Sequence, residues 1–482
     1  TVLTLKLSNG FFAAGTAGYK FDTNGNLLSD PFVRDTTTGL PTGVTSDFQG
    51  LYASGVGFEL ATVIRGANDT AGPESWFAFR ATVGALDVVG LGGTGNFNID
   101  GRDFLVTGNF ASTSLTQPSV MNWKNLADDL TGPQLDLTHA VNGLNGLEQF
   151  KIGGTLTLEV TDALYLTSTF TMAVVADTTA TAVGSVTGDL ILLTLSKTTI
   201  FAGPGAVFAD DTNGNRVINR GNAAGVYLEN ANLALGVLID KGADALATTD
   251  DSTYIGLVGG FDLAQLLGMG QVEAQANNLS IRYNVAIDAN GIAIDKLDWT
   301  TIQYSDAATA LNGLDSGIDF AVRGTLFYGD GFVYLSGTFS LATGGYGVAG
   351  GGLSAGLNAN VTTFAISDAA MFAGVGGGFT HDPTDASVIT GLVALADLKG
   401  ATGFDATGVN AELAFVNEAS TTATTLRSWA ALDVFVGTAD LVGLPAGFTA
   451  STTNLYFRTN IADTATASKL NWNTLTLDGA SF

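Results

Sequence analysis

Two short loops carry oxygen-bearing side chains at the alternating positions that a hard divalent cation requires. The second loop begins 189 residues after the first (211 − 22) and repeats its pattern. Ca²⁺ binds about six to eight oxygen ligands, which such loops supply from carboxylates, amides and carbonyls. The spacing therefore predicts two calcium sites. Their candidate ligands, at positions 1, 3, 5 and 9 of each loop, are Asp22, Asn24, Asn26, Asp30, Asp211, Asn213, Asn215 and Asn219.

The two loops begin like dockerin-type or EF-hand-type calcium loops, which they resemble, and then depart from them. Position 6 is Leu27 or Arg216 in place of glycine, and position 12 is Val33 or Asn222 in place of an acidic residue. The corresponding stretch of the third copy, 380–383, has lost the pattern. An Asx-rich turn between two strands, with no metal, is the alternative interpretation.

No other residue set forms a convincing catalytic or zinc centre. Residues 352–356 match G-x-S-x-G, but one match is unsurprising in a chain with 63 glycines, and the motif needs a strand-to-helix turn. The two histidines, His139 and His381, occupy non-equivalent places and form no metal-binding motif. The absence of cysteine excludes disulfides, thiolate metal sites and cysteine nucleophiles. We expect no enzymatic activity.

Charge and composition exclude further classes of partner. The formal net charge is −26 with 19 basic residues, which argues against binding a nucleic-acid backbone or an anionic membrane. The chain has no apolar run long enough for a transmembrane helix, so we expect no membrane insertion. The excess of carboxylates suits solubility and divalent cations.

The tryptophans show that the chain repeats itself about every 175 residues. Trp123, Trp299 and Trp472 each follow Asn or Asp and are separated by 176 and 173 residues, and Trp76 and Trp429 are 353 apart. A single tryptophan at an equivalent place in each copy predicts a packing role, with carbohydrate stacking as the alternative. Repetition on this scale indicates a structural or adhesive array, in which stacked copies bury a continuous core.

Two unit types, A and B, alternate along the chain. The first A unit lacks its opening strand, which suggests a segment of a longer repeat protein. The predicted boundaries are a truncated A unit at 1–45, B at 46–143, A at 144–222, B at 223–310, A at 311–402 and B at 403–482.

The periodicity of the units predicts an all-β fold. Apolar Leu279, Ile281, Tyr283 and Val285 alternate with polar residues, which places one side of a strand on a core. Gly, Asn and Asp separate such runs, and we find no amphipathic helix of three turns. A tandem-repeat β-solenoid-like array is favoured, and a string of β-sandwich domains is the alternative.

Motifs such as residues 225–235, 333–339 and 442–444 resemble repeats of giant secreted or surface proteins of Gram-negative bacteria, of the adhesin-like and hemolysin-type calcium-binding kind. The resemblance implies an extracellular or cell-surface structural protein: a filament, sheath, surface layer or adhesin stalk that assembles with itself or with neighbouring repeats. The alternative is a module that binds a carbohydrate or cell-surface ligand through loops such as 68–74 and 380–387.

Overall fold

A computed structural model of the chain shows long strands joined by short connections. It describes residues 2–481 except for 17–19, 22, 25–26, 31, 40, 46–47, 65–74, 90–96, 112–122, 124–147, 183, 211, 213–215, 222, 243–250, 354–355, 420–425, 446–447, 464–466 and 478–479. The α-helix whose bounds lie within the described residues is α1 (Ser305–Ala310), Trp123 is also helical, and short 3₁₀ turns lie at Trp299–Thr301, Leu395–Asp397 and Trp472–Thr474. Among the described residues, no helix has both the length and the apolar composition needed to cross a bilayer.

The strands, in chain order, are β1 (Val2–Thr16), β2 (Lys20–Phe21), β3 (Leu27–Ser29), β4 (Phe32–Arg34), β5 (Pro41–Val44), β6 (Gln49–Ile64), β7 (Ser75–Val89), β8 (Phe97–Ala111), β9 (Glu148–Val160), β10 (Leu164–Ala182), β11 (Gly184–Ala202), β12 (Val207–Asp210), β13 (Arg216–Asn219), β14 (Gly225–Asp240), β15 (Ser252–Leu267), β16 (Glu273–Asp288), β17 (Ile318–Gly329), β18 (Val333–Gly350), β19 (Leu357–Val375), β20 (Phe379–His381), β21 (Ile389–Leu392), β22 (Thr402–Glu418), β23 (Ser428–Val442), β24 (Ala450–Ala462), β25 (Leu475–Leu477) and β26 (Ala480–Ser481).

The long strands form one antiparallel sheet in which each strand pairs with the next long strand of the chain. Its order is β1, β6, β7, β8, β9, β10, β11, β14, β15, β16, β17, β18, β19, β22, β23, β24. Within the described residues the sheet does not close, and β1 and β24 are its two edges. The all-β prediction is confirmed, since 73% of the described residues are in strands.

Bulges at matching heights keep the alternation of side chains consistent from strand to strand. Lys197, Asn230 and Asn278 adopt a left-handed backbone with φ of 51°, and the pairing registers shift beside Lys197 and Asn278. An extra residue in one strand moves all later side chains to the opposite face unless a bulge absorbs it. The apolar side chains on both sides of a bulge therefore project to the same face of the sheet.

One face of the sheet, called here the covered face, is packed beneath the connections between strands. The segment after β16 covers β10, β11, β14 and β15, and its Trp299 packs in a core with Leu190, Leu238 and Tyr254. Toward the opposite strand ends, the hairpin β12–β13 covers another cluster that contains Tyr165. Burial of these apolar side chains holds the connections on the sheet.

Groups of three long strands recur along the sheet with the same connections. The group β6, β7, β8 is followed by a tryptophan-bearing segment, as are β14, β15, β16 and β22, β23, β24. The groups β9, β10, β11 and β17, β18, β19 are each followed by a short hairpin, as is β1 alone. The sheet continues without a break through all of these groups, and the unit boundaries remain a prediction of the sequence.

Candidate functional site

The repeated tryptophans share one hydrogen-bonding partner, an asparagine on the last strand of the preceding group. In each copy the indole Nε1 donates to the asparagine Oδ1. The pairs are Trp123 with Asn109 at 2.8 Å, Trp299 with Asn284 at 3.1 Å, and Trp472 with Asn460 at 3.2 Å. The predicted equivalence of the three indoles is thereby confirmed. Trp123 and Trp299 are buried as expected, whereas Trp472 is only half-buried.

Small residues on two neighbouring strands make room for the indole. A Cβ atom on Gly256 would lie 2.5 Å from Cε2 of Trp299, and one on Gly236 would lie 2.7 Å from its Cζ3. Only glycine allows the sheet to approach this ring so closely. Alanine stands at both positions in the other copies, and the three registered rows are Ala61, Ala78, Asn109; Gly236, Gly256, Asn284; and Ala414, Ala431, Asn460.

We call each tryptophan, its asparagine and the two small residues a Trp clasp. The asparagine also fixes the chain on either side of the indole. Nδ2 of Asn284 donates to the carbonyl oxygens of Leu297 and Asp315, each at 2.9 Å. Nδ2 of Asn460 likewise donates to Leu470, which precedes its tryptophan by two residues, at 2.8 Å. A buried asparagine with these bonds specifies one position for the segment.

The clasp segments reach back to the preceding strand group. The backbone N–H groups of Asp298 and Gln303 donate to the carbonyl oxygens of Thr181 and Thr179 in β10, at 2.7 and 2.9 Å. The third copy has the same contact, because β25 pairs with the end of β18 over Val348–Gly350. The clasps of Trp299 and Trp472 therefore each join their own group to the middle strand of the group before it.

A polar cluster around the buried Tyr304 and Glu148 strengthens this junction in the middle copy. The hydroxyl of Tyr304 donates to Glu148 Oε1 at 2.6 Å, and Lys151 Nζ lies 3.2 Å from Glu148 and 3.1 Å from Asp306. Burial, followed by the hydrogen bond to Glu148, raises the pKa of Tyr304 far above its ordinary value. The hydroxyl therefore stays protonated and able to donate, and it ties the segment to β9.

A second junction joins the hairpin β12–β13 to the loop that follows β20. Arg220 donates to Gln265 Oε1 at 2.6 Å and to Asp385 Oδ2 at 2.8 Å, and its guanidinium lies 4.1 Å from the ring centre of Tyr227. Burial, with the nearby charge of Glu229, raises the pKa of Tyr227 to about 12. Arg220 follows the group β9, β10, β11 and Asp385 follows the group β17, β18, β19, so this ion pair joins the connections of two strand groups.

An open cavity of about 650 Å³ adjoins the Arg220 junction. Its walls carry charged, amide and hydroxyl groups beside apolar ones. The loop 380–387, predicted from the sequence as a ligand-binding loop, contributes two lining residues; the other predicted loop, 68–74, lies outside the described residues. The lining residues are Ile218, Asn219, Arg220, Gly221, Ala223, Leu267, Gly268, Asp385 and Ser387.

The described members of the two predicted calcium loops take part in local turns. Asp30 accepts from the N–H of Phe32 at 3.0 Å and pairs with Arg34, and Asn219 accepts from the N–H of Gly221 at 3.1 Å. Asn24 lies in an exposed turn. The other candidate ligands, Asp22, Asn26, Asp211, Asn213 and Asn215, lie outside the described residues. Calcium binding stays a prediction.

The remaining sequence motifs contribute no chemical centre to the described part of the chain. Ser354 of the G-x-S-x-G match and His139 lie outside the described residues, and His381 lies on β20, at 4.0 Å from Glu273. No group of three or more His, Asp or Glu side chains that could hold a metal occurs among the described residues. Comparison with protein-family models, with curated protein sequences and with solved structures finds no match.

Proposed function

We propose that this chain is a structural repeat protein that builds an extended extracellular assembly, such as a filament, sheath, surface layer or adhesin stalk of a bacterial cell. The observation that carries the proposal is the Trp clasp, because the clasps of Trp299 and Trp472 each hold a strand group against the group that precedes it. The residues of the clasps make contacts between strand groups, and the proposal assigns no reaction to the chain.

The open sheet supports an array that extends in one dimension. Every strand group pairs only with its neighbours in the chain, so further groups can be added without changing those already in place. We describe the array as solenoid-like for this reason, and a string of β-sandwich domains is the alternative. Its partners are neighbouring repeats or other copies of the chain.

The two edge strands are suited to pairing with further strands. β1 has 15 residues and β24 has 13, and both expose large apolar side chains. Leu3, Leu5 and Leu7 of β1 are 65%, 57% and 53% exposed. Long apolar edges pair with other strands unless charge or proline protects them. In the repeat pattern β1 corresponds to β11 and β19, because a short hairpin follows each of them. On the side where β1 is free, β11 and β19 pair with β10 and β18. The free side of β1 therefore suits a strand of the same type as β10 and β18.

We expect lysine at these edge positions to prevent end-to-end association. The triple change Leu3→Lys, Leu5→Lys and Leu7→Lys places three like charges on the edge, which disfavours any added strand. The wild-type chain should form open-ended oligomers that grow with concentration, as measured by light scattering and negative-stain electron microscopy. The variant should lose this growth.

The matched control moves the same three charges away from the edges. Val207, Met269 and Ile292 are 55%, 50% and 62% exposed and lie in a hairpin or turns, so their triple lysine variant should assemble like the wild type. Equal growth of the edge variant and the wild type, or a wild-type chain with no tendency to associate, would contradict the assembly through strand edges.

Carbohydrate binding is the second candidate function, favoured by the cavity beside Arg220. Its arginine, aspartate and amide groups could bind sugar hydroxyls, and its walls come from two consecutive copies. We expect a glycan-array signal from the wild-type chain to disappear in Arg220→Ala, because Arg220 supplies the charged donors of the cavity. Arg458→Ala, an exposed arginine elsewhere on the sheet, is the control. A signal retained by Arg220→Ala would exclude this cavity as the site.

A further inference from the structure

The face of the sheet opposite the covered face is apolar over seven consecutive strands. Its central row runs directly across β9, β10, β11, β14, β15, β16 and β17. The registered side chains of this row are Ile152, Met172, Leu193, Leu235, Leu257, Tyr283 and Phe320. We call this surface, the central row and the rows on both sides of it, the apolar face.

Further rows extend the apolar face along the strands. One flanking row contains Val174, Ile191, Val237, Ile255 and Val285, and the other contains Phe170, Leu195, Leu233, Gly259, Ile281 and Val322. Beyond the bulges, a fourth row contains Leu158, Leu166, Ile200, Leu228, Ala264, Ala276 and Leu326.

None of the side chains in these four rows is buried, and none is charged. Most charged residues of the same strands project to the covered face; Lys151, for example, is registered with the buried Ala173. Asp262 is an exception at the level of the bulges, where it accepts from Nδ2 of Asn230 at 2.5 Å, and Asp189, one row beyond Val174, pairs with Lys241. At the level of the bulges, between the row of Phe170 and the fourth row, Ser168 Oγ and Thr198 Oγ1 lie 2.7 Å apart and are buried. This polar pair is therefore satisfied internally. The apolar face therefore offers a partner hydrophobic contact with few hydrogen-bonding demands.

The size of the apolar face matches a stable protein interface. Seven strands about 4.8 Å apart and nine residues of about 3.4 Å each give roughly 900 Å². Two such faces together reach about 1,800 Å², near the standard area of specific interfaces. Monomers rarely leave apolar patches of this size in water.

We propose that the apolar face is covered by the apolar face of a second copy of this chain, so that two sheets pack face to face. Sheets pair in this way about 10 Å apart with interdigitating side chains, and the large residues of the central row lie next to small ones of a flanking row, such as Gly259. Bilayer hydrocarbon suits this face less well, because the edges β1 and β24 would place unpaired backbone groups in it. This pairing rests on the proposed structural role but uses a different surface from the strand edges.

A lysine at the centre of the apolar face tests the pairing. Leu257 is half-buried in the middle of the central row, and Leu257→Lys would bury two unpaired charges in a symmetric pair. In sedimentation equilibrium, with the triple-lysine edge variant as the background that suppresses open-ended growth, the parent chain should form a discrete dimer. Leu257→Lys should weaken that dimer about a hundredfold or more.

Ile292→Lys, in an exposed turn off the apolar face, is the control and should dimerise like its parent. Circular dichroism shows whether each variant keeps its strand content, and Leu257→Gln offers an uncharged second variant. A monomeric parent, or equal dimerisation of Leu257→Lys and its parent, would overturn the face-to-face pair. Flotation of the monomeric parent with phosphatidylcholine vesicles would overturn it in favour of lipid. None of these outcomes affects the test of the proposed function, because open-ended growth of the wild type through its strand edges is measured separately.

Discussion

Replacing Trp299 by alanine should lower the free energy of unfolding by about 4 kcal/mol. Large-to-small changes at fully buried tryptophans cost about 3–5 kcal/mol, because transfer energy is lost and a cavity remains. Trp299 is 0% exposed, and its ring lies against Gly236 and Gly256, which have no side chains to fill the space. The measurement is urea unfolding of the wild type and the variant, followed by tryptophan fluorescence and circular dichroism.

Trp472→Ala is the matched comparison within the same chain. Trp472 makes the same hydrogen bond but is half-buried, so its removal should cost clearly less than that of Trp299. Equal losses for the two variants, or a loss below about 1 kcal/mol for Trp299→Ala, would show that the clasp does not hold the segment by burial.

The change Asn284→Ala should destabilise the chain by about 3 kcal/mol, although the residue is smaller than tryptophan. It removes the acceptor of the Trp299 indole and the donor to Leu297, both in buried hydrogen bonds, and the donor to Asp315 in a part-buried one. Each buried polar group left without a partner costs about 1–3 kcal/mol. Asn284→Asp should also be unfavourable, since the carboxylate lacks the donor for the two carbonyls and would be buried.

Asn417→Ala gives the control for this second measurement, because Asn417 is exposed on β22. It should unfold within about 0.5 kcal/mol of the wild type. A double-mutant cycle between Asn284→Ala and Trp299→Ala should show strong coupling, since the two residues act through one hydrogen bond. Additive effects would mean that the asparagine and the tryptophan contribute separately, which contradicts the clasp.

The repeat and the strands could be predicted from the sequence because both produce regular spacings of residue types along the chain. The spacing of Trp123, Trp299 and Trp472 can be counted in the sequence without knowledge of the structure. The alternation of apolar and polar residues around Ile281 follows from the pleat of a strand. The constant partner of each indole also left a trace: an asparagine precedes the tryptophan by 14, 15 or 12 residues (123 − 109, 299 − 284, 472 − 460).

The assembly of the strands could not be read in the same way. Pairing of β11 with β14 across the hairpin β12–β13 depends on contacts between residues distant in sequence. The role of Gly256 was equally hidden, because a glycine in a strand indicates a close approach without identifying what approaches. Arg220 and Asp385 are 165 residues apart and carry no motif, so their junction needed the three-dimensional structure.

The order of the strands has a consequence for how the chain folds. Almost every pairing in the sheet joins a strand to the next long strand, so a nascent chain can add strands to the sheet as they are synthesised. The clasp contacts are different, because Asp298 meets Thr181 across 117 residues (298 − 181). We therefore expect sheet hydrogen bonds to gain protection before the clasps in pulsed hydrogen exchange, and simultaneous protection of both would exclude this order. A growing copy would then become locked to its predecessor only after its own three strands are complete.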